Sequence, residues 1–219
     1  MIKKMAPTLC SLPVEVIQII AKLLSHKDIC NFRLVSKELE AKIFDYFSYY
    51  YFALFKTDLS LKSMKDLEDL SNDKHLHRSV RYLLIQCKPT GPIWPANTVG
   101  STLGGGFTWN RDPAGHLTGP QKCLEVFYRL LIEKLVNCKS ISINSQWDPA
   151  DKGGEIPGPG ILTALDALTL VFSMISDKGL EIKSFAFNLR RGCESLDRLD
   201  IQQTKTPKFL KSWANLQVS

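Results

Sequence analysis

With 219 residues, 44% of them hydrophobic, and a formal net charge of +6, the chain has room for a small module and one larger domain with a buried core. Its Lys and Arg residues are scattered among acids, as in Lys65-Asp66-Leu67-Glu68-Asp69, which argues against the clustered footprint of a nucleic-acid binder. Six widely spaced cysteines without a C-x-x-C pair, an N-terminus lacking the apolar run of a signal peptide, and no stretch near ~18 uninterrupted apolar residues argue against a disulfide framework, secretion and a membrane span.

In chain order, Leu12–Phe44 reads as three short helices. Pro13 suits the first helical position and Glu15 the first turn, where the helix dipole favours an anion. Val16, Ile17, Ile20, Ala21, Leu23 and Leu24 make an apolar surface wider than one stripe, so this helix has two faces to bury. Ser25 and Asp28 have capping-box spacing and open a second helix with Ile29, Phe32 and Val35. Ser36 is a good N-cap for a third, which carries Leu39, Ile43 and Phe44. So few residues cannot hide all this apolar surface among themselves, and part of it is expected to face a partner.

The ordered set Leu12-Pro13-x-Glu15-Val16, Ile20, Leu24, Asp28-Ile29 and Arg33-Leu34-Val35-Ser36-Lys37 resembles an F-box in residue type and spacing. The resemblance implies a three-helix domain, residues 9–50, that docks on a Skp-type adaptor and so joins a cullin-RING (SCF) ubiquitin ligase as a non-catalytic subunit. On the family's adaptor-contacting pattern fall Leu12, Pro13, Val16, Ile17, Ile20, Leu24, Ile29, Leu34, Val35, Ser36 and Lys37. Many F-boxes carry a Trp shortly after the Ser-Lys/Arg pair; here Leu39 is the nearest apolar residue.

Next, Asp45–Leu61 is dense in aromatics, but only Lys56 is near, so a base-stacking platform is not expected and the rings read as packing. Met64–Asp73 reads as a short polar helix with Leu67 and Leu70 inward, part of a helical linker at 51–78. From residue 79 to 219 strands and helices alternate. Strands are expected at Ser79–Ile85, Ser140–Ile143 and Leu180–Phe187, with a fourth beginning at Trp213–Val218; periodic helices are expected at Leu124–Val136 and Ile161–Ile175. That order predicts parallel strands joined by crossovers. The expected fold is therefore α+β / α/β: a three-helix module followed by a short irregular leucine-rich-repeat-like region with parallel strands. The combination resembles F-box proteins of filamentous fungi. A terminal strand without a covering helix is expected to be either an edge strand that closes the sheet or the end of a chain shortened relative to a longer array.

Long irregular stretches at Lys88–Gly119 and Gln146–Gly160 hold Trp94, Phe107, Trp109 and Trp147. Loops of this length are often functional, and Trp94, Trp109 and Trp147 are candidate anchors for a target protein; the other role open to them is folding back over the sheet. Arg190-Arg191 and Lys205, Lys208, Lys211 are the most basic places, read either as a solvated face or as a contact for an acidic partner.

Signals of chemistry are weak. Gly100–Gly106 lacks the Gly-Lys-Ser/Thr ending of a phosphate loop, and His75 and His77 have no further ligand cluster at metal-site spacing. Asp148 and Asp151 read as turn residues, and no nucleophile signature surrounds any cysteine. No catalytic, cofactor or metal site is assigned. The expected function is a substrate receptor, cytoplasmic and/or nuclear, with no nucleic acid or membrane as partner; a non-degradative scaffold is the rival.

Overall fold

The computed structural model describes residues 8–86, 103–113, 117–118, 121–145, 162–189, 205 and 207–214. The chain divides into two compact units after Ala53.

The first unit is helical. A 3₁₀ turn (Leu9–Ser11) leads into α1 (Val14–Leu23), α2 (His26–Leu34) and α3 (Lys37–Phe52). The expected caps form: the Ser25 hydroxyl oxygen accepts the Asp28 N–H at 3.2 Å and Ser36 accepts the Leu39 N–H at 3.1 Å. The reciprocal half of the box differs, because the Asp28 carboxylate accepts the Ser25 hydroxyl rather than a backbone N–H. Ile17, Ala21, Ile29, Leu39, Ile43 and Phe47 form the core of this unit. The aromatic run beyond Asp45 continues α3 for two more turns, with Phe47 inward and Tyr49 and Tyr50 exposed.

The second unit begins with an element the sequence reading missed. β1 (Leu54–Thr57) pairs in parallel with β2 (Tyr82–Gln86), which pairs with β3 (Ser140–Ser145), which pairs with β4 (Ser184–Leu189). Residues 54–78 are thus part of the sheet unit rather than a linker. β1 is only four residues long, too short for alternation to stand out beside so many rings. Between β1 and β2 lies α4 (Leu61–Asn72), which starts at the Ser60 cap, ahead of the expected Met64.

Between β2 and β3, α5 (Gln121–Arg129) passes into a π-helical turn at Leu130–Lys134, closed by the Leu135 N–H on the Leu130 carbonyl at 2.8 Å. The wider turn lets adjacent Leu130 and Leu131 both be buried, which regular helical spacing disfavours. α6 (Ala164–Lys178) carries a complete capping box of Thr163 and Asp166 and ends at Gly179 with φ 68°, a left-handed position suited to glycine; the Leu180 N–H then reaches back to the Met174 carbonyl at 3.1 Å.

The expected fourth strand does not begin at Trp213. Trp213 lies in α7 (Pro207–Ala214), stacked on Phe209 at 5.2 Å and edge-on to Phe172 of α6; residues 215–218 lie outside the described residues. Phe209 and Trp213 are four residues apart, helical spacing, after a proline at the first helical position.

Strand order follows chain order, so every parallel connection steps the same way and crossovers of one hand place the helices on one face of the sheet. Into that face point Leu83 and Ile85, Ile141 and Ile143, Phe185 and Phe187, against Met64, Leu67, Leu130, Val171 and Met174. Each pair is preceded, three residues upstream, by a further buried residue: Val80, Cys138 and Ile182. The apolar-x-x-apolar-x-apolar pattern therefore recurs in register across β2, β3 and β4.

Candidate adaptor-docking face

The first unit leaves much of its apolar surface uncovered. Leu34 is 84% exposed, Leu23 83% and Val35 67%, with Leu9, Val14, Val16 and Ile19 also exposed. Exposed aliphatic side chains concentrated in one small helical unit mark an interaction site. It arises because α1 carries two stripes. Ile17 and Ala21 turn into the core, while Val16, Ile19 and Leu23, at spacings of three and four, turn out.

The eleven residues expected to touch an adaptor sort into three sets. Pro13, Val16, Leu34, Val35 and Lys37 are exposed, and Leu12, Ile20, Leu24 and Ser36 are half-buried. Ile17 and Ile29 are a correction: both are completely buried inside the unit, so they shape the surface without touching a partner. Ser36 is occupied as the cap of α3. Sequence reasoning left out Leu9, Val14, Ile19 and Leu23; the 16, 19, 23 spacing on α1 was the available signal for the last two. Leu39, standing near the position where many F-boxes have Trp, is completely buried.

Two basic side chains hold the face in shape. The Lys42 ammonium on α3 donates to the Leu12 carbonyl at 3.0 Å and to that of Cys10, and pairs with Glu38 at 3.0 Å, so it ties the Leu-Pro entry segment to α3. Arg33 at the end of α2 pairs with Glu40 at 2.8 Å while its guanidinium lies over the Phe47 ring, 3.9 Å from the centroid. Its Nε makes no hydrogen bond, consistent with a nitrogen held against the ring. Neither contact was legible in the sequence, since Lys42 acts over thirty positions. Tyr46, on the same helix, has its phenol pKa raised by burial first and by Tyr50 and Tyr51 second.

A family model for the F-box domain matches residues 9–45, the stretch that carries this face. Residues 9–45 are an F-box domain. The F-box is an adaptor-binding module, and the match is confined to the first unit. No curated protein and no solved structure matches the chain.

The residues proposed to hold a target fare differently. Trp109 is 1% exposed and its indole N–H donates to the Gly104 carbonyl at 2.8 Å, so it covers the core and is not available as an anchor. Trp94 and Trp147 lie outside the described residues. The glycines at 104 to 106 serve the same packing: the Gly104 N–H donates to the Asp58 carbonyl at 2.7 Å and the Gly105 carbonyl accepts the Leu61 N–H at 2.9 Å. His75 and His77 sit in the turn after α4, where the Asp73 carboxylate accepts the Leu76 and His75 N–H groups, and those two bonds lower its pKa. Among the described residues no group of three or more His, Cys, Asp or Glu could hold a metal ion, and no helix is long and apolar enough to cross a membrane.

The sheet face opposite the helices is lined by the alternate residues of the strands. In register these form the rows Leu54–Tyr82–Ser140–Ser184, Lys56–Leu84–Ser142–Ala186 and Gln86–Asn144–Asn188, all exposed or half-buried.

Proposed function

We propose that this protein is the substrate-recognition subunit of an SCF ubiquitin ligase. The F-box docks on a Skp-type adaptor, the adaptor joins a cullin-RING scaffold, and the sheet unit holds a target protein for ubiquitin transfer by other subunits. The observation that carries the reading is the exposed aliphatic face of α1 and α2 within the matched F-box, because an apolar helical face laid into a groove is a recurrent docking mode. The contribution to the reaction is then proximity: a held target meets a charged conjugating enzyme at high effective concentration, and no side chain of this chain takes part in bond making. The recurring apolar-x-x-apolar-x-apolar pattern in a parallel sheet supports reading the second unit as an irregular leucine-rich-repeat-like array. Such a subunit would work in the cytoplasm or nucleus.

Co-expression with a Skp-type adaptor, followed by size exclusion, tests this directly. The native chain is expected to co-elute, and Val16→Asp combined with Leu34→Asp is expected to abolish the complex, because a carboxylate buried without a partner is costly. Both positions are exposed in the free chain, so the variant should keep its helical circular dichroism. A folded native chain that forms no complex would overturn the proposal. Depletion in cells separates receptor from scaffold, since only a receptor lets a partner accumulate.

A further inference from the structure

The matched F-box ends at Asp45, but α3 runs on to Phe52 and carries an aromatic face of its own. Tyr46, Tyr49 and Tyr50 are three and four residues apart, the spacing that puts side chains on one side of a helix. The Tyr46 and Tyr50 ring centroids are 4.4 Å apart, and the Tyr49 and Tyr50 rings meet edge-on at 5.4 Å. Tyr49 and Tyr50 are exposed, whereas Phe47 is buried. Asp45, also exposed, stands one turn before Tyr49 on the same side. Along α3, Tyr49 lies ~18 Å from Lys37 at the ~1.5 Å rise per residue of an α-helix, which sets this face apart from the Leu34–Lys37 part of the adaptor face.

The electrostatics of the tyrosine face all favour a cation. Aromatic ring faces attract cations. A helix C-terminus carries a partial negative charge, and the last turn of α3, which holds Tyr49 and Tyr50, contains no basic residue. The other two acids of α3 each have a cation, Lys42 for Glu38 and Arg33 for Glu40, but Asp45 makes no ion pair among the described residues. The unit also shows how it holds a guanidinium. Arg33 lies over the Phe47 ring, 3.9 Å from the centroid, while it pairs with Glu40 at 2.8 Å. Asp45 and the exposed tyrosines turn the same two kinds of group, carboxylate and ring, outward.

We infer that the end of α3 is a second interaction face and that it takes an arginine-bearing segment of a partner protein. The guanidinium groups of that segment lie over the tyrosine rings, and one of them pairs with Asp45. Arginine fits better than lysine, because its planar group stacks on rings and is more weakly hydrated than an ammonium. A nucleic acid could stack on the rings, but its phosphates would meet Asp45 and the negative end of the helix. The inference goes beyond the receptor reading and does not rest on it.

The test uses the full chain and a fluorescein-labelled peptide of alternating Arg and Ser, read by fluorescence anisotropy at physiological salt. The net charge of +6 opposes general attraction of a basic peptide, so binding reports a local site. Native protein is expected to bind this peptide, to bind the Lys analogue at least threefold more weakly and to ignore the Glu analogue. Asp45→Asn and Tyr50→Leu are each expected to weaken binding at least threefold, while Tyr50→Phe, which keeps the ring, should stay within twofold. Asp69→Asn, which removes an exposed acid from α4, should also change it less than twofold. Asp45 and Tyr50 are both exposed, so these variants should keep their helical circular dichroism. No binding by folded native protein, equal loss in the Asp69 variant, or a Tyr50→Leu variant that binds as well as Tyr50→Phe would each overturn the inference. So would equal binding of the Lys analogue, or tighter binding of single-stranded DNA through the same residues. A chain that forms the adaptor complex yet ignores the peptide overturns this inference alone, and one that binds the peptide yet forms no adaptor complex overturns the receptor reading alone.

Discussion

The Arg111 guanidinium grips the Asp166 carboxylate through two hydrogen bonds, of 2.9 and 2.5 Å, across fifty-five residues of chain. Both side chains are only 11% exposed, and the same carboxylate accepts the Thr163 N–H and hydroxyl at 2.7 and 2.8 Å. One acid thus caps α6 and holds the 103–113 segment, which also bridges to the strand-like pair Leu103 and Leu162. Asp166→Ala is expected to cost roughly 3–5 kcal/mol, the range for leaving a buried charge without its partner. Arg111→Met, which leaves the cap intact, should cost less. Urea unfolding followed by tryptophan fluorescence is the measurement, and it is selective because all four tryptophans, at 94, 109, 147 and 213, belong to the second unit.

Exposed and buried apolar residues of α1 should separate cleanly. Val16→Asp should leave the fold of the F-box intact and remove adaptor binding, whereas Ile17→Ala, at a completely buried position, should destabilise the F-box by about 2–5 kcal/mol. Thermal melts by far-ultraviolet circular dichroism would register the second change. Tryptophan fluorescence should register neither, because the F-box has no tryptophan.

Gly104 admits no side chain. Its φ is 74°, and an added Cβ would lie 2.3 Å from the Trp109 indole nitrogen. Gly104→Ala is expected to displace Trp109 from the core, with backbone strain of about 1–3 kcal/mol added to the loss of packing. The emission maximum of the variant should shift to the red and its urea midpoint should fall; an unchanged spectrum would contradict the packing described.

Burial pushes the Cys138 thiol up to about 12, against smaller opposing effects of the Ser140 backbone and Lys139. Burial, with Asp177 second, pushes the Tyr128 phenol up to about 12. Both groups are neutral when folded, and both raised values lie above those of the unfolded chain, ~8.5 for Cys and ~10 for Tyr. Their contribution to stability is therefore complete below those unfolded values and is lost as pH rises toward 12. Cys138 should resist alkylation at pH 8 until urea unfolds the second unit, as peptide mapping after iodoacetamide would show. Tyr128 should ionise after the exposed tyrosines in a titration followed by ultraviolet absorbance.

The F-box was legible because its information is local. Caps at Ser25 and Ser36, the Pro13 entry and two apolar stripes at 3.6-residue spacing all lie within one short stretch, and the helices form where they were expected. The alternation that marks β2, β3 and β4 is local too. β1 and α7 were not legible. Four residues after an aromatic helix offer too little alternation to count, and Trp213, where a weak strand pattern begins, is held in α7 behind Pro207, with Phe209 and Trp213 packed on Phe172.

By itself the sequence determined which residues are apolar, at what period, and where helices are capped, and these are enough for an F-box and a set of parallel strands. Only the tertiary structure decided which apolar residues are spent internally. Ile17 and Val16 are neighbours of the same chemistry, yet one is sealed in the core and the other faces out, because helix rotation against α3 chooses between them. Likewise only strand register put Leu54, Tyr82, Ser140 and Ser184, more than a hundred residues apart from first to last, into one row. Register is set by hydrogen bonds and packing between distant segments, and no local pattern encodes it.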